Sequence, residues 1–163
     1  MDYLVKELAD RAAVADAIHT WCTAIDTRDW QRMRGLLSDP VHIDYSSNGS
    51  ISGDMPCENW INRLKGLYGF DATLHMVSNL VIVVEGDRAT CTSYVNAMHF
   101  LTEQGRELNA YACGTYIHKL SRAGDGWKIT SATFRLAGRH SGHKAFDEAF
   151  VRARELAPER EPK

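Results

Sequence analysis

Two side chains in this sequence sit where a charge or a ring nitrogen needs a reason. Asp26 follows Cys22 by four residues and Ile18 by eight, on the apolar stripe of an N-terminal helical pattern. An ionised carboxylate on such a stripe is destabilising by several kcal/mol unless it is paired or hydrogen-bonded. His75 lies in a run otherwise as apolar as Met76, Val77, Leu80, Val81, Ile82 and Val83, and alternation puts it on one face with Val77, Asn79 and Val81. Taken singly, each has a structural reading, a capping Asp and a satisfied core His. In a chain with one core, two such groups of opposite preference are expected to meet. The carboxylate would then hold one imidazole nitrogen protonated and leave the other free to take a proton, the arrangement of general acid–base catalysis. Asn79 is a further polar candidate on the same face.

Tyr45 alternates with Val41 and Ile43, so its ring is expected inside with its hydroxyl in need of a partner. His99 shares a strand face with Ser93, Val95 and Ala97, while Ala110, Ala112 and Gly114 share another. Small residues gathered on one side either let a helix approach closely or leave a ligand cavity, because interiors do not leave volume unfilled. Structural roles for Tyr45 and His99 fit the parity equally well. The remaining histidines carry no comparable argument. His140 and His143 have metal-compatible spacing only on a helix, and the sequence indicates no metal site.

Positioning these groups falls to a chain of 163 residues, 44% hydrophobic, which favours one domain with a real core. Its 19 Lys and Arg are interspersed with 21 Asp and Glu, giving a net charge of −2 and no basic stripe, which argues against a nucleic-acid partner. No apolar run approaches a membrane span, and the N-terminal segment lacks a signal-peptide core, so a cytoplasmic protein without membrane attachment is expected. Cys22, Cys57, Cys91 and Cys113 are far apart, with no CxxC spacing, and read as reduced core residues.

Leu4, Leu8, Ala15, Ile18, Cys22 and Ile25 predict a helix over the first ~25 residues. A break at 26–29 follows, and Asp29 can cap a short helix through Leu37 that Pro40 ends. Residues 41–45 alternate as a short strand, and Pro56 opens another helix carrying Trp60, Ile61, Leu64 and Leu67. Four strands are predicted near 73–85, 89–102, 107–121 and 127–137, joined by turn chemistry at 86–87, 104–105 and 123–126. A last amphipathic helix bears Phe146, Phe150 and Val151. Helices first and a meander second is an α+β pattern, with the sheet curling and Trp127 and Phe134 filling its core. One domain is expected over 1–157, with a flexible tail over 158–163.

The stretch W-C-T-A-I-D-T-R-D-W-Q-R-M-R-G-L-L (Trp21–Leu37), then I-D-Y-S-S (Ile43–Ser47) and D-M-P-C-E-N-W (Asp54–Trp60), resembles the SnoaL-like, scytalone dehydratase-like branch of the nuclear transport factor 2-like superfamily. The resemblance spans about Ala13 to Phe150. It implies a cone-shaped α+β barrel, a curved and mostly antiparallel sheet with N-terminal helices covering the concave face. It also implies catalytic roles for Asp26 and His75, a carbonyl-activating role for Tyr45 and a second pocket histidine in His99. Trp21 and Ile25 join the implied substrate-binding set, Ile25 replacing a family tyrosine. Ala112 and Gly114 fall where the family has a serine and an asparagine that grip substrate, so a larger or more apolar substrate is implied.

The expected activity is dehydration without a cofactor. His75 would take a proton alpha to a carbonyl on a small cyclic, polyketide- or steroid-like molecule, and His75 or His99 would protonate the departing hydroxyl. Isomerisation or cyclisation needs the same proton abstraction without a leaving group, and a non-catalytic binding module is the rival from another class. By analogy with the family, a homodimer or homotrimer is expected.

Overall fold

The structure is a computed structural model describing residues 3–162. Helix α1 (Tyr3–Thr27) gives way to α2 (Trp30–Leu36) across two residues. Arg28 takes a left-handed conformation (φ 59°), and the Asp29 carboxylate accepts from the Arg32 N–H at 2.9 Å, capping α2 as predicted. Strand β1 (Leu37–Asp44) starts directly after α2, so Pro40 does not separate them. It lies inside the strand, where the pairing with the neighbouring strand is irregular between Leu37 and His42, a place that tolerates a missing N–H. The loop before Pro56 contains a short strand, β2 (Ser52–Met55), and α3 (Cys57–Leu64) begins after that proline.

The long strands are β3 (Ala72–Glu85), β4 (Arg88–Phe100), β7 (Ala110–Ala123) and β8 (Gly126–Arg139), each within a few residues of its predicted span. A two-residue hairpin, β5 (Thr102–Glu103) with β6 (Arg106–Glu107), fills the β4–β7 connection. The main sheet runs β2-β1-β8-β7-β4-β3, and every neighbour pair is antiparallel except β1 with β8. This is the expected α+β cone, a curved sheet with helices on its concave side. The inner face carries Cys91, Ser93, Val95, Ala97 and His99 of β4 beside Ala110, Ala112, Tyr116, His118 and Leu120 of β7, all buried. Val14, Ile18, Trp21, Cys22 and Ile25 of α1 complete the core with Trp127 and Phe134. Burying this apolar surface is what holds the helices on the sheet.

Helix α4 (Gly142–Arg160) packs on the single-turn helix at 65–69. A Cβ at Gly69 would fall 1.7 Å from the Ala153 carbonyl oxygen, so glycine sets how closely they approach. The helix runs three residues into the segment expected as a tail. Arg160 holds it there, donating to the Gly69 carbonyl at 2.7 Å and the Asp71 carboxylate at 2.9 Å, while Glu161 pairs with Lys65 at 3.2 Å. Lys163 lies outside the described residues.

Three other expectations are corrected. Leu4 and Leu8 are exposed, and burial on α1 starts at Asp10, whose carboxylate takes two bonds from Arg122 at 2.8–2.9 Å and one from Trp127 at 3.3 Å. Cys113 is exposed, because alternation on β7 turns it to the outer face; the other three cysteines are buried and all four are free thiols. Asn79 does not continue the His75 face. The β3–β4 register shifts between Ser78 and Val81, and Asn79 sits in that irregularity with φ 54°, exposed. Beyond it the parity inverts, so Ile82 is buried while Val81 and Val83 face outward.

Among the described residues, no helix is long and apolar enough to cross a membrane.

Candidate active site

The last turn of α1 and the first half of β3 bring Asp26 and His75 together across 49 positions of sequence. Asp26 Oδ1 accepts from His75 Nδ1 at 2.7 Å and Oδ2 accepts from the His75 backbone N–H at 2.8 Å. Thr73, one strand alternation earlier, donates its hydroxyl to Oδ1 at 2.9 Å. Arg28 donates to the Thr73 hydroxyl at 2.7 Å and to the Leu67 and Ile25 carbonyls at 2.9 and 2.6 Å. The pair is largely desolvated, with side-chain exposures of 5% for His75 and 15% for Asp26. Burial pushes the Asp26 carboxyl up, but the His75 ring, its charge and N–H, and the Thr73 hydroxyl outweigh that and hold it below the ordinary value. Asp26 is therefore an anion that accepts from Nδ1–H and leaves Nε2 outside that bond.

His75 lies on the wall of a cavity of about 580 Å³, a volume suited to a small organic ligand. Its floor and sides are mostly apolar, built from Leu67, Ala97, Ala112, Phe134, Phe146 and Phe150. The small faces anticipated on β4 and β7 thus leave space at Ala97 and Ala112. His99 lines the same cavity, with its ring nearly perpendicular to that of His75 at 5.3 Å between centroids. Its Nδ1 lies 3.0 Å from the Ala110 carbonyl, an acceptor, so Nδ1 carries the proton and Nε2 can only accept. Burial, with the neighbouring His75 charge, pulls the His99 pKa down to about 3, so the ring is neutral near pH 7.

Tyr45, just past β1, faces the cavity from another side, its ring 6.3 Å from that of Tyr116 on β7. Burial pushes the Tyr45 phenol well up, an effect the Tyr116 hydroxyl only partly offsets, so Tyr45 is a donor at neutral pH. Ile25 lines the cavity as well.

Two expected lining residues stand elsewhere. Trp21 is fully buried beneath the cavity, stacked on Trp60 at 6.2 Å and edge-on to His118 at 5.1 Å. Gly114 keeps the inward parity of its strand, but a Cβ there would fall 2.1 Å from the Arg135 carbonyl oxygen and 2.8 Å from Phe134. It marks close strand packing at a register shift in β7–β8 rather than unfilled cavity. Sequence reading overlooked Tyr116, although parity from Ala112 pointed to it, and overlooked the Arg28–Thr73 support, which no local pattern signals. Among the described residues, no cluster of His, Cys, Asp and Glu could hold a metal ion.

The sequence pattern of the SnoaL-like domain family matches residues 6–133, which include most of α1, the Asp26–His75 pair and most of the sheet. The chain belongs to the SnoaL-like domain family. An uncharacterized protein of Mycobacterium tuberculosis is 28% identical over 127 residues, covering 77% of this chain and 84% of that protein. The SnoaL-like fold is shared with a solved protein of Novosphingobium aromaticivorans assigned as a scytalone dehydratase (TM-score 0.73, 19% identity, 84% of this chain and 90% of that one). It is also shared with a hexachlorocyclohexane dehydrochlorinase of Novosphingobium barchaimii (TM-score 0.68, 19% identity, 83% and 91%).

Proposed function

We propose that this SnoaL-like protein is a carbon–oxygen lyase that dehydrates a cyclic β-hydroxyketone of polyketide- or steroid-like size by acid–base chemistry on its own side chains. The observation carrying this reading is a desolvated Asp26–His75 pair whose ring lines an apolar cavity of about 580 Å³. His75 Nε2 takes the proton alpha to the carbonyl, a contribution of about 10²–10⁴-fold for a positioned base. Asp26 stabilises the imidazolium that forms. Tyr45 donates to the developing enolate oxygen. The enolate then collapses, the carbon–oxygen bond breaks, and His75 returns its proton to the departing hydroxyl, releasing water and an enone. The leaving proton is assigned to His75 because the only N–H of His99 is committed to the Ala110 carbonyl. His99 instead offers Nε2 as an acceptor for a substrate hydroxyl. The names of the two Novosphingobium neighbours, a dehydratase and a dehydrochlorinase, agree with elimination.

A panel of cyclic β-hydroxyketones, followed by the rise of enone absorbance, tests the proposal. His75→Ala should abolish turnover while keeping the wild-type circular dichroism. Full turnover by that variant, on a substrate the wild type dehydrates, would refute the mechanism.

A further inference from the structure

Among the described residues, the arginine and acidic side chains that line the cavity are Arg63 at the end of α3, and Asp147 and Arg154 on α4. Asp147 is already matched, since its carboxylate accepts from Arg139 at 3.3 Å, and Arg139 is itself almost completely buried. The two arginines are not. Arg63 is held by a neutral partner, donating to the Ser50 hydroxyl at 2.9 Å, and Ser50 lines the cavity too. Arg154 has no hydrogen-bond or carboxylate partner among the described residues, and its stem passes Gly66, where an added Cβ would touch Cγ at 3.5 Å. Both guanidinium-bearing residues are exposed, so the rim is cationic and wet while the interior is apolar.

Building on the lyase reading, we propose that the substrate carries a carboxylate on its apolar ring system, held at the rim by Arg63 and Arg154 while the ring reaches His75. Guanidinium forks match a carboxylate in shape and charge. A low-dielectric wall behind like-signed charges concentrates an oppositely charged ligand at the opening. The anion belongs at the rim for a second reason: beside the Asp26 carboxylate it would oppose the negative charge that develops on the enolate. The two arginines therefore fix which end of the molecule enters first.

The test needs no turnover, so it fails separately from the lyase reading. Binding of 2-naphthoate, 2-naphthamide and 2-naphthyl phosphate to the full chain is measured by calorimetry. The wild type should bind naphthoate roughly tenfold more tightly than the amide at low salt, and about 0.5 M salt should erase the difference. Arg63→Gln and Arg154→Gln should each weaken naphthoate about three- to fivefold and leave the amide unchanged, with unaltered Tm. His75→Ala should keep the carboxylate preference. Equal wild-type affinity for acid and amide, or equal loss of both in the arginine variants, would overturn the proposal. A phosphate bound more than about tenfold better than the carboxylate would overturn the assignment of the anion.

Discussion

Asp26 holds His75 at two points, its ring through Nδ1 at 2.7 Å and its backbone N–H at 2.8 Å, with one carboxylate oxygen given to each. The second bond ties the helix end to the strand carrying the ring, so the carboxylate that orients the imidazole is itself fixed to β3. Replacing the charge while keeping the shape should expose this coupling. Asp26→Asn should lower kcat by about 10²–10⁴ with little change in KM, since it removes imidazolium stabilisation rather than cavity surface. Steady-state kinetics on the first substrate found in the panel checks this.

The same carboxylate carries a stability signature. Its folded pKa is depressed, so its contribution is fully present above the unfolded value near 3.8 and is lost as pH falls through the folded value. Urea unfolding should therefore find Asp26→Asn less stable than wild type at pH 7, with the gap closing below about pH 4. A constant gap across pH would show that the charge does not stabilise the fold.

His99 and His118 act in a different window. Burial pulls both down to about 3 from 6.5, with the His75 charge adding to the effect on His99. The folded state thus binds fewer protons than the unfolded chain between those values. Stability is complete above about pH 6.5 and falls as pH drops toward 3. His118 is fully buried with neither ring nitrogen hydrogen-bonded. His118→Leu should raise stability by about 1 kcal/mol at pH 7 and flatten the acid limb, as read by Tm between pH 4 and 7. A loss of stability at pH 7 would indicate that the ring's packing outweighs its unmet polar atoms.

Tyr45→Phe removes one donor and almost no volume. A drop of about 10²-fold in kcat with an unchanged Tm is expected if the hydroxyl meets the enolate oxygen. Activity within about twofold of wild type would remove Tyr45 from the mechanism.

Gly114→Ser separates a missing substrate grip from a packing requirement. Because the new Cβ would meet the Arg135 carbonyl 2.1 Å away, the variant should lose at least about 2 kcal/mol of stability and gain no polar contact with ligand. Thermal denaturation decides between them, since a grip restored without loss of stability would return Gly114 to the site.

Sequence alone determined the α+β class, the long strands, the cap at Asp29 and the core placement of Asp26, His75 and His99. These follow from alternation, helical spacing and the cost of burying charge, all local or compositional. The resemblance implied a role for the pair, and the fold brought the two side chains within 2.7 Å. Tertiary structure alone decided four other points. The irregularity at Asn79 inverted the parity of β3, because one displaced residue turns every later side chain to the opposite face. Trp21 became core support because Trp60 stacks upon it. Arg28 and Thr73 became the brace behind Asp26, through a contact spanning 45 positions that no local pattern encodes. The cavity opened at Ala97 and Ala112 but not at Gly114, because small residues leave space only where no neighbouring backbone moves in to fill it.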